Sequence, residues 1–393
     1  MNLVTSGKVK NFLINLFLEK STFREFNELS ENEYQTLLHI INKYRLEKFL
    51  QNFLNENNIE KKIFDEKKQS KLKKSDVHVF ETIRKSKKIF EKLNEKKIKY
   101  VPLKGIALFY GNYQDPIMKQ MRDIDILINK DKFKQVLKVL NSQGFYADQI
   151  DSKLKLSKDF LRYHLPIFRD VEGTTIDLHL KIHENNEQEC LISKEFLKNV
   201  SIKILRNTEI YFPNINDLIL NLIYHATKKH GFDNGPIYLH DLFKIISIEV
   251  IDFEDLIVKS EVYKLKNELL YSFVLLEKYY PINFDGKINL KALDQNISNE
   301  FEDLIFLNQA DKRVQQFYQK GLISTVYGIF SIKKIHSEFG LKIHFLNYFY
   351  YLFKRIIRQI RQTMPSLFWV IFSSNRRKYQ KRVRKLLKDL SNE

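Results

Sequence analysis

Several large protein classes leave marks that this chain lacks. Cysteine occurs once in 393 residues, at Cys190, so neither a disulfide framework nor a cysteine-based zinc site can be built within it. Glycine and proline are scarce, at 11 and 7 residues. No Gly-x-Gly-x-x-Gly and no Gly-x4-Gly-Lys-Ser/Thr occurs, which removes the usual dinucleotide and P-loop signatures. A Gly-x-Ser-x-Gly elbow is absent as well. The apolar stretches fall short of the roughly 18 to 20 residues needed to cross a bilayer, so no transmembrane segment is expected. The first twenty residues carry a short apolar run without the long apolar region and small-residue cleavage site of a secretory signal, and read as a helix of the mature protein. Together these absences point to a reducing cytoplasm, with peripheral membrane contact left to the basic tail described below.

What is present suits a folded protein of two or three compact units. Hydrophobic residues make up 44% and aromatics 13% of the chain, which argues against disorder despite long Lys/Asn/Glu stretches. The most informative segment is LKGIALFYGNYQDPIMKQMRDIDILI, read with the later TTIDLHLKIH. Asp123 and Asp125 stand two apart on a predicted strand, so both carboxylates share one face while Ile124, Ile126 and Ile128 enter the core. Two hard oxygen donors side by side suit Mg²⁺, which is usually completed by waters and substrate phosphates. In the second segment Thr175, Asp177, His179, Lys181 and His183 alternate with Ile176, Leu178, Leu180 and Ile182, predicting a strand with one polar and one buried face. If the two strands are neighbours, Asp177 becomes a third carboxylate, able to bridge a metal and to accept a proton from an attacking hydroxyl. Upstream, Lys97 to Leu103 reads as a strand entering Lys104 and Gly105, with a helix from Ile106 to Tyr110. A glycine there permits close backbone approach to a phosphate, and the helix N-terminus offers unpaired N–H groups.

This order of elements resembles the nucleotidyltransferase superfamily of the DNA polymerase beta type, and most closely its uncharacterised bacterial branch with an LKG, R-x-x-D-x-D-x-L and D-x-H pattern. The resemblance covers about Ile98 to Ile182, and more loosely about Ser30 to Val250. It implies an α+β fold, with a small mixed β-sheet core, helices on one face, and helical regions at both ends. It also implies Asp123, Asp125 and Asp177 as the catalytic and metal-binding acids, on a two-metal Mg²⁺ site, with Gly105 as the turn glycine. A nucleoside triphosphate is the implied substrate. Many members have Gly-Ser where this chain has Lys104 and Gly105, and a shorter gap to the acidic pair. Lys104 and Arg122 are therefore the expected phosphate contacts, with Tyr113 a weaker one, and Gly105 and, on the polar strand face, His179 and Lys181 are the other expected nucleotide-binding residues. Arg122 serves equally well as an ion-pair partner of its neighbours.

The predicted organisation has four parts: an N-terminal helical region over 1–95, the catalytic core over 96–205, a helical domain over 206–335 and a basic aromatic tail over 336–393. In the first, Ser30 and Glu33 form a capping box ahead of Tyr34, Leu37, Leu38, Ile41 and Tyr44 at helical spacing. A lysine-rich stretch from Glu60 to Lys74 reads as a loop or a solvated helix face, and Val79, Ile83, Phe90 and Leu93 line a second helix. After the acidic pair, Asp131 is placed to cap a helix bearing Phe133, Val136, Leu137 and Leu140. Pro213 and Asn214 open a helix with Leu218, Leu222, Ile223 and Ala226 on one stripe and Gly231 as its stop. His225, His230, His240 and Asp241 lie in or after it. These could suggest a metal phosphohydrolase, but without an identifiable fourth acid they read as packed or capping residues.

The net charge of +18 is uneven: thirteen Lys or Arg stand against two acids between Leu341 and Glu393. That tail alternates aromatic and basic pieces, which suits an anionic membrane surface, RNA, or docking on the protein itself. The expected function is transfer of an NMP from an NTP to a hydroxyl of a small molecule, peptide or RNA, with pyrophosphate released. Two other readings stay open: a toxin-like nucleotidyltransferase acting on tRNA or other RNA, which the basic tail favours, and a noncatalytic nucleotide-binding relative, which the intact acids disfavour.

Overall fold

The computed structural model describes residues 5–59, 66–113, 123–147, 167–182, 189–232, 234–290, 293–306 and most of 381–390, with positions 115, 118, 121 and 165. Arg122, His183 and most of the basic tail lie outside the described residues.

Four helices open the chain: α1 (Gly7–Phe17), α2 (Phe23–Asn27), α3 (Glu31–Tyr44) and α4 (Glu47–Glu56). The expected Ser30/Glu33 capping box is present, and Thr22 with Glu25 makes a second one at the start of α2. Glu33 also accepts from the Ser6 hydroxyl at 2.7 Å, so one cap ties the ends of α1 and α3 together. Next comes α5 (Glu66–Glu95), whose 30 residues span about 45 Å. Its lysine-rich first turns are thus helical from Glu66 onward. Leu72 joins the core of the helical regions, whereas Val79, Ile89, Phe90 and Leu93 pack under the sheet.

The sheet has five strands in the order β1-β2-β5-β4-β3. These are β1 (Tyr100–Pro102), β2 (Asp123–Ile128), β3 (Tyr146–Ala147), β4 (Phe168–Arg169) and β5 (Thr175–His179). Only β2 and β5 run parallel; β1, β4 and β3 pair antiparallel. Ile124, Ile126, Ile128, Ile176 and Leu178 share a buried cluster with α5 and with Phe133, Val136, Val139 and Leu140 of α7 (Phe133–Ser142). That is the mixed α+β core the sequence implies. Asn129, rather than Asp131, caps the approach to α7: its side chain accepts from the Asp131 amide, and Asp131 lies in a short 3-10 turn.

Between β1 and β2, α6 (Lys104–Gly111) is sandwiched between two cores. Ile106, Phe109 and Tyr110 face the sheet cluster, while Ala107 and Leu108 join the helical cluster. A hairpin of β6 (Ser201–Leu205) and β7 (Thr208–Phe212) follows α8 (Glu189–Lys198). Its two loop residues, Arg206 and Asn207, both have positive φ, at 51° and 59°, which matches the strand twist of a tight two-residue turn. The Arg206 guanidinium donates to the Phe109 and Tyr113 carbonyls and covers the Phe109 ring at 4.3 Å, clamping the end of α6. Phe212 lies close to Gly111, where an added Cβ would come within 2.6 Å of its ring.

The second helical group comprises α9 (Ile215–Tyr224), α10 (Ile237–Ile248), α11 (Phe253–Val262), α12 (Lys266–Tyr279) and α13 (Gln295–Ile305). Its core is continuous with that of α1, α3 and α4: Phe12, Leu37, Ile41 and Leu50 share one buried cluster with Ile219, Leu239, Leu276 and Phe301. The Lys10 ammonium contacts Glu302 at 2.6 Å across this junction. Chain ends far apart in sequence thus form one helical body beside the sheet. Among the described tail residues, Leu386 and Leu390 are buried in that body, and Arg382 pairs with Glu300 and Asp303.

Candidate functional site

The two faces of β2 and β5 are chemically opposite, and the parallel register makes them so. Asp125 pairs with Asp177, Asp123 with Thr175 and Leu127 with His179. Strand alternation then sends Asp123, Asp125, Asp177 and His179 to the face away from the isoleucines. Neighbouring strands lie about 4.8 Å apart, so the carboxylates of Asp125 and Asp177 stand side by side.

His179 Nε2 lies 2.8 Å from Asp125 Oδ1 and 3.3 Å from Asp177 Oδ2. One ligand atom from each of these three residues falls within 4.8 Å of the others, the arrangement of a metal-binding group. Asp123 is on the same face one alternation away, outside that tight group, and acts on it electrostatically. The sequence assigned the metal to Asp123, Asp125 and Asp177 and left His179 as a substrate contact. The structure puts His179 among the donors.

Lys104 completes the arrangement. The Leu103 N–H donates to the Asp125 carbonyl at 3.0 Å, which holds the start of α6 against β2. Lys104 then takes a left-handed backbone with φ 51°, unusual for a residue with a side chain, and its ammonium pairs with Asp125 Oδ1. Gly105 does not carry the positive φ. Its missing side chain instead makes room for Met121, whose Cγ would lie 3.1 Å from an added Cβ.

Charges in this cluster are strongly coupled. Burial and the neighbouring Asp125 carboxylate push Asp123 up to about 6. Burial also opposes ionisation of Asp125, but Lys104 and His179 together outweigh it and hold that carboxyl well below its ordinary range. Asp177 behaves likewise, with burial overcome by the His179 hydrogen bond, so its pKa is lowered. His179 and Lys104 are both desolvated, yet the carboxylates raise their pKa values. The site therefore holds two acids, Asp125 and Asp177, whose ionised forms are favoured by Lys104 and His179, and a third, Asp123, pushed up to about 6.

Other expected contacts fall elsewhere. β5 ends at His179, so Lys181 lies beyond the strand and is exposed. Ile182 leaves the side of Ile176 and Leu178 and packs with Val101, Leu103, Leu127 and Phe196 in a separate small cluster. The predicted alternation stops there because the chain leaves the strand. Tyr113 is buried, and its hydroxyl donates to Asp241 Oδ1 at 2.6 Å, so it braces α6 against α10 instead of meeting phosphate. His240 is buried among the rings of Phe17, Phe49, Tyr113, Phe243 and Tyr280, as a packed residue. His225 and His230 do not share that fate: their Nε2 atoms meet at 2.8 Å, and both side chains are only partly buried.

A small mixed sheet carrying adjacent carboxylates, with a lysine at the start of the preceding helix, suits phosphoryl-type transfer. Residues 30–281, more than half the chain, match a family described as an uncharacterised nucleotidyltransferase, and the chain belongs to that family. Nucleotidyl transfer is accordingly its class of chemistry, and a nucleoside triphosphate its class of substrate. A search of the curated proteins finds no match.

Proposed function

We propose that the protein is a Mg²⁺-dependent nucleotidyltransferase that moves an NMP from an NTP to a hydroxyl group, releasing pyrophosphate. The observation carrying this reading is the pairing of Asp125 with Asp177 on adjacent parallel strands, with His179 bridging them. Two carboxylates and an imidazole fit a divalent cation, and Asp123 on the same face adds another oxygen donor. Asp125, Asp177 and His179 would hold such an ion, with Asp123 as a further oxygen donor, and when bound it would neutralise phosphate charge.

The chain's own residues divide the remaining work by exposure. The Asp125 side chain is 4% exposed and locked between Lys104 and His179, so it is a fixed element of the site. Asp177, at 36%, is open to an incoming molecule and accepts the proton of the acceptor hydroxyl. The hydroxyl oxygen forms its bond to the α-phosphorus as the bond from that phosphorus to the bridging oxygen breaks, and the electron pair leaves with pyrophosphate. Lys104, at the N-terminus of α6, holds positive charge where the phosphates gather. Most of the acceleration then comes from positioning and charge complementarity.

The acceptor separates this reading from its alternative. The concentration of basic residues after Leu341 favours RNA as one acceptor class. Purified protein incubated with Mg²⁺ and each labelled NTP, first with total RNA and then with small sugars and peptides, resolves them. Label on RNA selects the toxin-like reading, and label on a small acceptor selects the other. Tight NTP binding with no transfer to any acceptor would leave only nucleotide binding.

A further inference from the structure

The β6–β7 hairpin leaves one strand edge open. β6 has β7 on one side and, among the described residues, no strand on the other. Its two-residue turn makes Leu205 and Thr208 a hydrogen-bonded pair, and alternation does the same for Lys203 with Ile210 and for Ser201 with Phe212. The backbone N–H and C=O groups of Ile202 and Ile204 therefore point outwards, away from β7. Their side chains are exposed too, at 59% and 78%, on one face of the hairpin. Exposed edges are ordinarily blunted by a proline, a bulge or a solvated charge. β6 has no proline, and its pairing with β7 runs without a bulge from Ser201 to Leu205. Its one charge, Lys203, turns back onto its own chain, with its ammonium 4.7 Å from the Phe212 ring centroid and 3.5 Å from Glu249 Oε2.

An open edge of this kind takes another strand, and the segment SIKIL is complementary to itself. Antiparallel pairing with β6 of a second copy, about a two-fold axis at Lys203, sets Ile202 opposite the second copy's Ile204 and Ile204 opposite its Ile202. Each of these pairs exchanges two hydrogen bonds, so every outward N–H and C=O of the two residues is used. The isoleucines of both copies then form one apolar group on the exposed face. An axis at Ile202 or at Ile204 would instead set the other isoleucine against Val200 or Arg206, outside the strand. The two Lys203 residues meet at the chosen axis on the opposite face, and like charges across strands are destabilising. Glu249 and the Phe212 ring offset this by holding each ammonium on its own chain. Ile248 and Val250, on either side of Glu249, are exposed as well and add apolar surface beside the strand.

We propose that β6 is a self-association edge, on which a second copy of the chain pairs antiparallel about Lys203 and extends the hairpin into a four-stranded sheet across a two-fold axis. Such a contact uses the same patch on both copies, so it closes as a dimer and does not propagate. β7 packs on α5 and β1, which leaves β6 as the outer strand of the hairpin. The same hairpin carries Arg206, whose guanidinium holds the end of α6, so the second copy lies against the element that anchors the helix beginning at Lys104. The inference does not depend on the nucleotidyl-transfer reading.

Sedimentation equilibrium of the full chain over a range of concentrations reads the association directly. The wild type is expected to follow a monomer–dimer equilibrium, and Ile202→Lys/Ile204→Lys to weaken it by about 100-fold or more, because like charges then meet across the pairing strands. Both side chains are exposed, so this variant should keep the wild-type melting temperature. A wild type that stays monomeric, or an unchanged dimer affinity in the variant, overturns the proposal. The register is read by cross-linking in a Cys190→Ser background with oxidised glutathione. Lys203→Cys puts the two sulfurs at the axis, across a non-hydrogen-bonded pair whose Cβ atoms lie about 4.5 Å apart, within reach of a disulfide. It should give a disulfide-linked dimer, whereas Ser201→Cys, set opposite the second copy's Leu205, should give none. Equal cross-linking at both positions, or none with Lys203→Cys, also overturns the proposal.

Discussion

The acidic wall on the sheet and the imidazole pair on the helical body are built by different means. Asp125, Asp177 and His179 need only two regular strands in the right register, since alternation places their side chains. His225 and His230 need an irregular turn, the π-helical turn over His225–Lys229, because regular α geometry would hold them apart. Regular structure therefore supplies the site's carboxylates, and an interruption of regular structure brings the two imidazoles together. Lys104 stands between the two, reached through a left-handed backbone that is itself irregular.

The strongest way to break the comparison is to remove the best-held member of the acidic wall. Asp125→Asn is expected to lower transfer by about 1,000-fold or more, measured as incorporation of labelled NMP. Near-wild-type transfer would withdraw Asp125 from the site. Next in size is the opposite face of the same strand. Ile126 is fully buried in the sheet cluster, and Ile126→Ala should cost about 2–5 kcal/mol of stability in denaturant melts. Its remaining folded fraction should still bind metal, because the polar face is untouched.

A subtler test uses Asp123, whose pKa is raised by burial and by the neighbouring Asp125 carboxylate. In the metal-free protein it keeps its proton more tightly folded than unfolded, so its ionisation costs stability as pH rises from 3.8 to about 6. In EDTA, the melting temperature of Asp123→Asn minus that of the wild type should increase across that window. A flat difference would mean that the carboxyl is not perturbed. Metal binding has the opposite sense and should strengthen as pH rises through about 6, because the ligand must be ionised. The smallest effect is at a helix cap outside the carboxylate group. Ser30→Ala removes the cap of α3 and should cost about 1 kcal/mol with transfer per folded molecule unchanged.

Much of the sheet and its site was legible because the relevant rules act over a few residues. Period-two alternation located Asp123 and Asp125 on one face and Ile124, Ile126 and Ile128 on the other, as the structure has them. The Ser30/Glu33 box and the Asn214 cap were likewise local, each needing a side chain to reach an amide two or three residues away. The failures begin where a local rule ends. Nothing in TTIDLHLKIH marks the end of the strand at His179, and Ile182 changes sides because Phe196 and Leu127 offer it a separate core. Tyr113 looked polar and available, yet α10 supplies Asp241 to bury its hydroxyl. The one signal for the histidine pair was a spacing of five, which α periodicity treats as no pairing at all.

By itself, then, the sequence determined the two strands, their acidic face and the nucleotidyltransferase pattern, since alternation and capping are properties of neighbouring residues. The tertiary structure decided that Asp177 pairs with Asp125, that His179 joins them and that Lys104 turns towards them. It also decided that helices from both ends of the chain form one body carrying His225 and His230. Those outcomes depend on strand order, on a π turn and on burial shared between distant segments, and no window of adjacent residues contains them.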